Sequence, residues 1–131
     1  MKFDDIKGKV LASIDGAEPG SERVVFNFAD GTAWASYHSP DCCESVSVNR
    51  ITGDLASVIG SPVMCAYESQ DSNDKPSEYA DSWTWTHQHI RTESGEVIIT
   101  ESGEVIIVWL GESNGYYGET PYLQVTHGAA V

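Results

Sequence analysis

The residues best suited to chemistry are the cysteines and the histidine near position 40. Asp41-Cys42-Cys43-Glu44 follows shortly after His38. Cysteine catalysis needs a thiolate with a base in hydrogen-bond reach, and metal binding needs several convergent ligands. Neighbouring residues of a strand point to opposite faces, so we expect Cys42 in the core and Cys43 on the face of His38. Packing explains both thiols best, and a small Cys/His enzyme or metal site is the alternative. The secondary site candidates are His38, Asp41, Cys43 and Glu44.

A second group is the pair His87 and His89. Residues two apart on a strand share a face and lie about 6.6 Å apart along it, a spacing at which two imidazoles can chelate a metal. The sequence identifies no third ligand. We therefore predict no metal and no other cofactor, with His87 and His89 as the candidates should a metal be bound.

A third group lies near the C-terminus, in Glu112-Ser113-Asn114-Gly115-Tyr116-Tyr117. Tyrosine offers a large contact area with little rotamer entropy to lose, and Glu112 adds a charge suited to a basic partner. The alternative is a tight turn whose rings cover the end of a sheet. We take Glu112, Ser113, Asn114, Tyr116 and Tyr117 as the candidate interaction loop.

Other catalytic signatures are missing from the sequence. It has no phosphate-binding glycine loop, no Gly-x-Ser-x-Gly, no His-Glu-x-x-His and no paired CxxC. This favours a protein that is not an enzyme.

The elements that position these residues are mostly strands. Alternating residues predict a hairpin from Glu22 to His38 that turns at Asp30-Gly31, with Phe26 facing Ala35. Trp83, Trp85, His87 and His89 are expected on one face of a later strand. Further strands are predicted over 9–14, 41–51, 62–68 and 105–110, followed by an edge strand after Pro121.

One helix and one long loop interrupt the strands. Residues 54–59 predict a short helix that Asp54 caps and Gly60 ends, while 69–82, rich in Ser, Asp, Asn and Pro, predict a flexible loop. The 131 residues predict a single domain spanning 1–131. The fold class is α+β, a twisted and mostly antiparallel sheet of about seven or eight strands with one short helix at about 54–59.

The charge of the chain is strongly one-sided. Twenty Asp and Glu stand against seven Lys and Arg, giving a net charge of −13, and residues 92–131 hold six Glu without any Lys or Arg. We expect the carboxylates to gather into one negative face that attracts a basic protein partner. The same charge argues against direct binding to nucleic acid or to an anionic membrane.

Residues 92–99, Thr-Glu-Ser-Gly-Glu-Val-Ile-Ile, are repeated at once as residues 100–107. Because eight is even, a shift by one copy preserves every inward and outward assignment along a strand. We therefore hypothesise that one copy of this tandem octamer is structurally redundant.

Several motifs together resemble a known family. They are Asp41-Cys42-Cys43-Glu44-Ser45-Val46, Ile59-Gly60-Ser61-Pro62, Thr84-Trp85-Thr86 and the segment from Trp109 to Tyr117. From about residue 8 to about residue 120 the chain resembles DUF7448, a family of small phage and prophage proteins without an assigned activity. The resemblance implies a phage or mobile-element origin and action inside the host cell.

These observations lead to three functional hypotheses. The first is an acidic, non-catalytic phage protein of the host cytoplasm that inhibits or modulates a host defence or nucleic-acid-binding complex. The second is the Cys/His enzyme or metal-binding domain. The third is a structural or assembly accessory of the virion. The sequence leaves the oligomeric state open.

Overall fold

The computed structural model describes residues 2–38, 44–92, 103–113 and 119–127, which form eight strands and two single-turn 3₁₀ helices. The 3₁₀ helices are Phe3–Ile6 and Leu55–Val58. The strands are β1 (Leu11–Asp15), β2 (Arg23–Phe28), β3 (Ala33–Tyr37), β4 (Glu44–Gly53), β5 (Val63–Asp71), β6 (Ser82–Thr92), β7 (Glu104–Ser113) and β8 (Tyr122–His127). The predicted number of strands and the short helix near 54–59 are confirmed.

The strands divide between two four-stranded antiparallel sheets. The first has the order β1-β2-β3-β8 and the second β4-β7-β6-β5. Inward-facing side chains of both sheets form one hydrophobic core, with Phe26 from the first sheet and Trp109 from the second fully buried. Apolar burial between two layers is the main stabilising contribution in such an arrangement. β8 lies at a sheet edge, as predicted.

The hairpin of β2 and β3 differs from the prediction by one residue. Phe26 pairs with Trp34 rather than Ala35, because the loop has three residues, Ala29 to Gly31. Gly31 has a φ of 90°, and three-residue loops of this kind end in a left-handed residue. Hydrogen bonds from the hydroxyl and the backbone of Thr32, and from Lys9, lower the pKa of Asp30 to about 2 and hold the turn in this form.

The shift in register changes which side chains of β3 face the core, since a one-residue slip moves every side chain to the other face. Trp34 packs against the core and Ser36 is fully buried, whereas the predicted pairing of Phe26 with Ala35 puts Trp34 and Ser36 on the opposite face. The Ser36 hydroxyl accepts a hydrogen bond from Gln88 Nε2 at 2.7 Å, which joins the two sheets.

The predicted alternation of β6 is confirmed. Thr86, Gln88 and Ile90 are buried, whereas His87 and His89 are partly exposed on the outer face. Gln88 also accepts from the Trp109 indole at 2.8 Å and donates to Glu68. Lost hydration at this carboxylate raises the pKa of Glu68, and the bond from Gln88 offsets that rise only in part.

The helix and the loop take the positions that the sequence indicated. The Asp54 side chain accepts from the backbone N–H of Ala56 at 3.0 Å, and Val58 is fully buried. The long loop is shorter than expected, because β5 runs to Asp71 and β6 begins at Ser82. Of the tandem octamer 92–99/100–107, residues 93–102 lie outside the described residues.

Candidate functional site

Both chain crossings from one sheet to the other lie at the same end of the molecule. Residues 39–43 lead from β3 to β4, and residues 114–121 lead from β7 to β8. Glu44 pairs with Ser113, and Ser45 pairs with Glu112. We call this region, made of residues 38, 44–45, 81–82, 84, 111–113 and 119–122, the motif end, because the motif residues Glu44, Ser45, Glu112 and Ser113 meet there.

A buried pair of hydrogen-bonded side chains joins the two sheets at the motif end. His38 Nε2 lies 2.6 Å from Glu44 Oε1, and the two side chains are only 5% and 4% exposed. The Nδ1–H of His38 donates to the Thr120 carbonyl at 2.9 Å, and its ring stacks on Tyr122 with centroids 5.1 Å apart. Because both ring nitrogens are engaged, neither is open to take a proton from a neighbouring thiol.

Glu119 is the second carboxylate held in place at the motif end. It accepts from the hydroxyl of Ser113 at 2.6 Å and from that of Thr84 at 2.8 Å. Burial acts to raise the pKa of Glu119, but the hydrogen bonds from Ser113, Ser82 and Thr84 outweigh it and lower the pKa overall. The charged form is therefore the stable one here.

Gly111 allows the returning chain to pass this close to β7. A Cβ atom at position 111 would overlap the carbonyl oxygen of Glu119. Gly111 follows Trp109 on the inward face of β7, so residue 119 covers the end of the core. The glycine is needed for a close approach between two backbone segments.

The structure brings together four of the predicted site residues from two separate parts of the sequence. Glu112 and Ser113 from the interaction loop adjoin His38 and Glu44 from the secondary group. Asn114, Tyr116 and Tyr117, together with Asp41 and Cys43, lie outside the described residues.

Sequence reasoning missed Glu119, Thr84 and Tyr122. The alternation of β6 places Thr84 on the face opposite Trp83 and Trp85, and this pattern could have identified Thr84 from the sequence. Nothing in the sequence indicated that Glu119 would meet it, because that contact depends on how the chain returns to the first sheet.

The pair His87 and His89 forms part of an aromatic row on the outer face of the second sheet. The two imidazole centroids lie 6.2 Å apart, and His89 stacks on Tyr67 at 4.2 Å. Burial and the neighbouring His87 lower the pKa of His89. Over the ranges that the structure describes, no three His, Cys, Asp or Glu side chains converge as metal ligands.

The described residues locate only two of the six glutamates of β7 and its flanks on the outer surface of the second sheet. Glu104 pairs with Arg91 at one end of β7, and Glu112 pairs with Trp83 at the other. Because they are eight residues apart on a regular strand, both side chains point to the same face, at positions about 27 Å apart at roughly 3.4 Å per residue. Glu93, Glu96 and Glu101 lie outside the described residues, so the expected negative face stays a prediction.

The described residues thus define a small two-layered β domain. A model of the family "Domain of unknown function (DUF7448)" matches residues 4–123, so the chain belongs to this family. No curated protein and no solved structure matches the chain. Across the part of the chain that the structure describes, no helix is long and apolar enough to span a membrane.

Proposed function

We propose that this chain is a non-catalytic binding protein whose motif end contacts a protein partner with a basic surface. The observation that carries the proposal is the pairing of Glu44 with Ser113. It puts the two most specific motif segments, nearly seventy residues apart, on one rigid support. Loops held by a rigid scaffold are where binding residues concentrate.

The charge at the motif end supports a basic partner. Asp81 is exposed and Glu112 partly exposed, whereas Glu44 and Glu119 are occupied within the protein. All seven Lys and Arg lie in the described residues, and none of them forms an ion pair with Asp81, Glu112 or Glu119. Such a surface draws a cationic partner by electrostatic attraction, which salt weakens.

The proposal extends to a phage origin and a host target. In it the chain acts in the host cytoplasm and occupies the nucleic-acid-binding face of a host complex, such as a defence complex. Carboxylates then take the place of backbone phosphates. The negative charge of the chain supports this extension.

The geometry of His38 argues against the alternative of a Cys/His enzyme. A cysteine nucleophile needs a base with a free nitrogen lone pair. In His38 one nitrogen is held by the Thr120 carbonyl and the other by Glu44. The pair holds the two sheets together and is not available to a thiol.

The test is affinity capture from bacterial lysate with three matched proteins. They are the wild type, the motif-end variant Asp81→Asn/Glu112→Gln, and the control variant Glu18→Gln/Glu22→Gln, whose exposed carboxylates lie at the β1–β2 turn. We expect wild type and control to retain one nucleic-acid-binding protein, and the motif-end variant to lose it at least tenfold. Added duplex DNA should displace that protein.

Two results would contradict the proposal. One is equal retention by the motif-end variant and the control variant. The other is a captured protein that DNA does not displace, which would show that the chain does not occupy a nucleic-acid-binding face.

A further inference from the structure

The outer face of the second sheet carries a pocket that is separate from the motif end. Its volume is about 300 Å³. The turn formed by residues 73–76 makes one wall, and Arg50, Asp71, Trp85 and His87 make the rest. Since a water molecule in the liquid takes roughly 30 Å³, the space suits a ligand of on the order of ten non-hydrogen atoms.

Hydrogen bonds hold the wall of this pocket in place without a ligand. The indole N–H groups of Trp83 and Trp85 donate to the Asn73 carbonyl at 2.8 and 3.0 Å, and Trp85 also donates to the Asp74 carbonyl at 3.0 Å. The Asp71 carboxylate accepts from the backbone N–H of Asn73 at 3.1 Å. A wall that is already ordered costs little conformational entropy on binding.

The pocket contains two of the seven cations of this acidic chain, Arg50 and Lys75. Neither lies within ion-pair distance of a described carboxylate. The Arg50 guanidinium lies over the Trp85 ring at 5.6 Å, and the Lys75 ammonium lies over the Trp83 ring at 5.9 Å. A cation–π contact stabilises each positive charge in part, but it leaves N–H groups of the guanidinium and the ammonium able to donate to a ligand.

The acidic residues of the pocket restrict the ligand further. Asp71 is engaged by Asn73 and lies 3.8 Å from His87 Nδ1, and Asp74 brings a second negative charge. Two cations and two carboxylates balance, so a single negative charge on the ligand is accepted more easily than two. The arginine fork matches a carboxylate in bidentate geometry, and Trp85 offers a flat apolar wall.

We infer that this pocket binds a small aromatic monocarboxylate, with the carboxylate at Arg50 and Lys75 and the ring against Trp85. The inference does not depend on the proposed function of the motif end, because Arg50, Lys75 and Trp85 are not part of that region.

The experiment is a titration of the ¹⁵N-labelled protein by NMR with benzoate as the probe. The four tryptophans give four indole N–H signals, and those of Trp83 and Trp85 report on the pocket wall. The signal of Trp109, whose indole is bonded to Gln88 in the core, is the internal reference. We expect benzoate to shift the Trp83 and Trp85 signals and to leave that of Trp109 unchanged.

Matched ligands and variants sharpen the test. Neutral benzamide should bind at least tenfold more weakly than benzoate, and so should the dianion phenyl phosphate. Arg50→Gln should weaken benzoate binding at least tenfold. Arg23→Gln should not, because Arg23 makes the same kind of contact, 5.7 Å above the Tyr37 ring, on the other sheet.

Three outcomes would overturn the inference. They are the absence of a benzoate shift at Trp83 and Trp85, equal affinity for benzoate and benzamide, and equal effects of the two arginine variants. Tighter binding of phenyl phosphate than of benzoate would overturn the assignment to monocarboxylates.

Discussion

The motif end and the pocket use alternate residues of the same strand. Ser82 and Thr84 point to one face of β6, where they hydrogen-bond to Glu119. Trp83 and Trp85 point to the other face, where they hold the turn at Asn73. One four-residue stretch thus supports two regions because successive side chains of a strand alternate.

The two regions differ in how their charged groups are satisfied. At the motif end the carboxylates of Glu44 and Glu119 are bonded to groups of the protein itself, so they hold the ends of neighbouring elements together. In the pocket Arg50 and Lys75 lie on aromatic rings without a carboxylate partner among the described residues. The comparison teaches that the carboxylates of Glu44 and Glu119 are structural, whereas the two cations of the pocket are available to a ligand.

The largest loss of stability is expected when one methyl group is added to the motif end at Gly111. Gly111→Ala places a Cβ where the Glu119 carbonyl lies, and the backbone there cannot move without opening the end of the core. Overpacking of this kind costs about 3 kcal/mol of the free energy of unfolding. Urea denaturation of the purified variant measures it.

Gly31→Ala is the matched control for this prediction. A Cβ at Gly31 meets nothing within 4 Å, and the cost comes only from its φ of 90°. That cost is about 1 kcal/mol. If the two variants were equally stable, the close contact with the Glu119 carbonyl would not be the reason why position 111 requires a glycine.

The second prediction compares one charge from each region. Glu119→Gln removes a carboxylate that several hydroxyls hold, and it should lower the free energy of unfolding at pH 7 by about 1 kcal/mol. Arg50→Gln removes an exposed cation and should change it by no more than about 0.5 kcal/mol. Equal losses in the two variants would erase the distinction between the regions.

The stability difference between wild type and Glu119→Gln should also depend on pH in a defined direction. The pKa of Glu119 is lowered in the folded chain, so its contribution is complete above the ordinary value of 4.5 and is lost as the pH falls through the folded pKa. The difference between wild type and Glu119→Gln should therefore shrink when denaturation is repeated at progressively lower pH below 4.5. The small effect of Arg50→Gln should not follow this trend.

Local patterns predicted the strands, but not how they assemble. The alternation from Trp83 to Ile90 was readable because one face is buried, and Pro121 correctly indicated an edge strand. The register at Asp30-Gly31 was not readable, because the dipeptide fits both a two-residue loop and the end of a three-residue loop. Thr32, which bonds to Asp30, decides between them.

The same limit applies to the sites. The motif residues Glu44 and Ser113 were singled out separately from their types, and their adjacency depends on the pairing of β4 with β7. Net charge predicted an acidic surface, but it did not indicate that Glu104 and Glu112 would lie at opposite ends of β7. The pocket could not be predicted, because Arg50, Lys75 and Trp85 come from three elements whose strand order the sequence does not contain.

A small effect is also expected from a change at the opposite end of the sheet. The Thr92 N–H donates to the Gly103 carbonyl at 2.8 Å, and Arg91 pairs with Glu104. Deleting residues 92–99 puts Thr100, an identical residue, directly after Arg91. The same pairing can then close over Glu101-Ser102. A shorter loop lowers the entropic cost of loop closure, which stabilises the fold. A two-residue loop without Gly or Asn is strained, which destabilises it, so the two contributions oppose each other.

We therefore expect this deletion to change the free energy of unfolding by less than about 1 kcal/mol. Because the deletion lies beyond both regions, the indole signals of Trp83 and Trp85 should also stay in place. A second variant keeps the length but replaces residues 93–99 with Gly and Ser, which separates the effect of loop length from that of side chains. If the first copy is redundant, both variants match the wild type. A loss of several kcal/mol in both would show that its side chains pack against the domain, and that this end of the sheet is a third structured region.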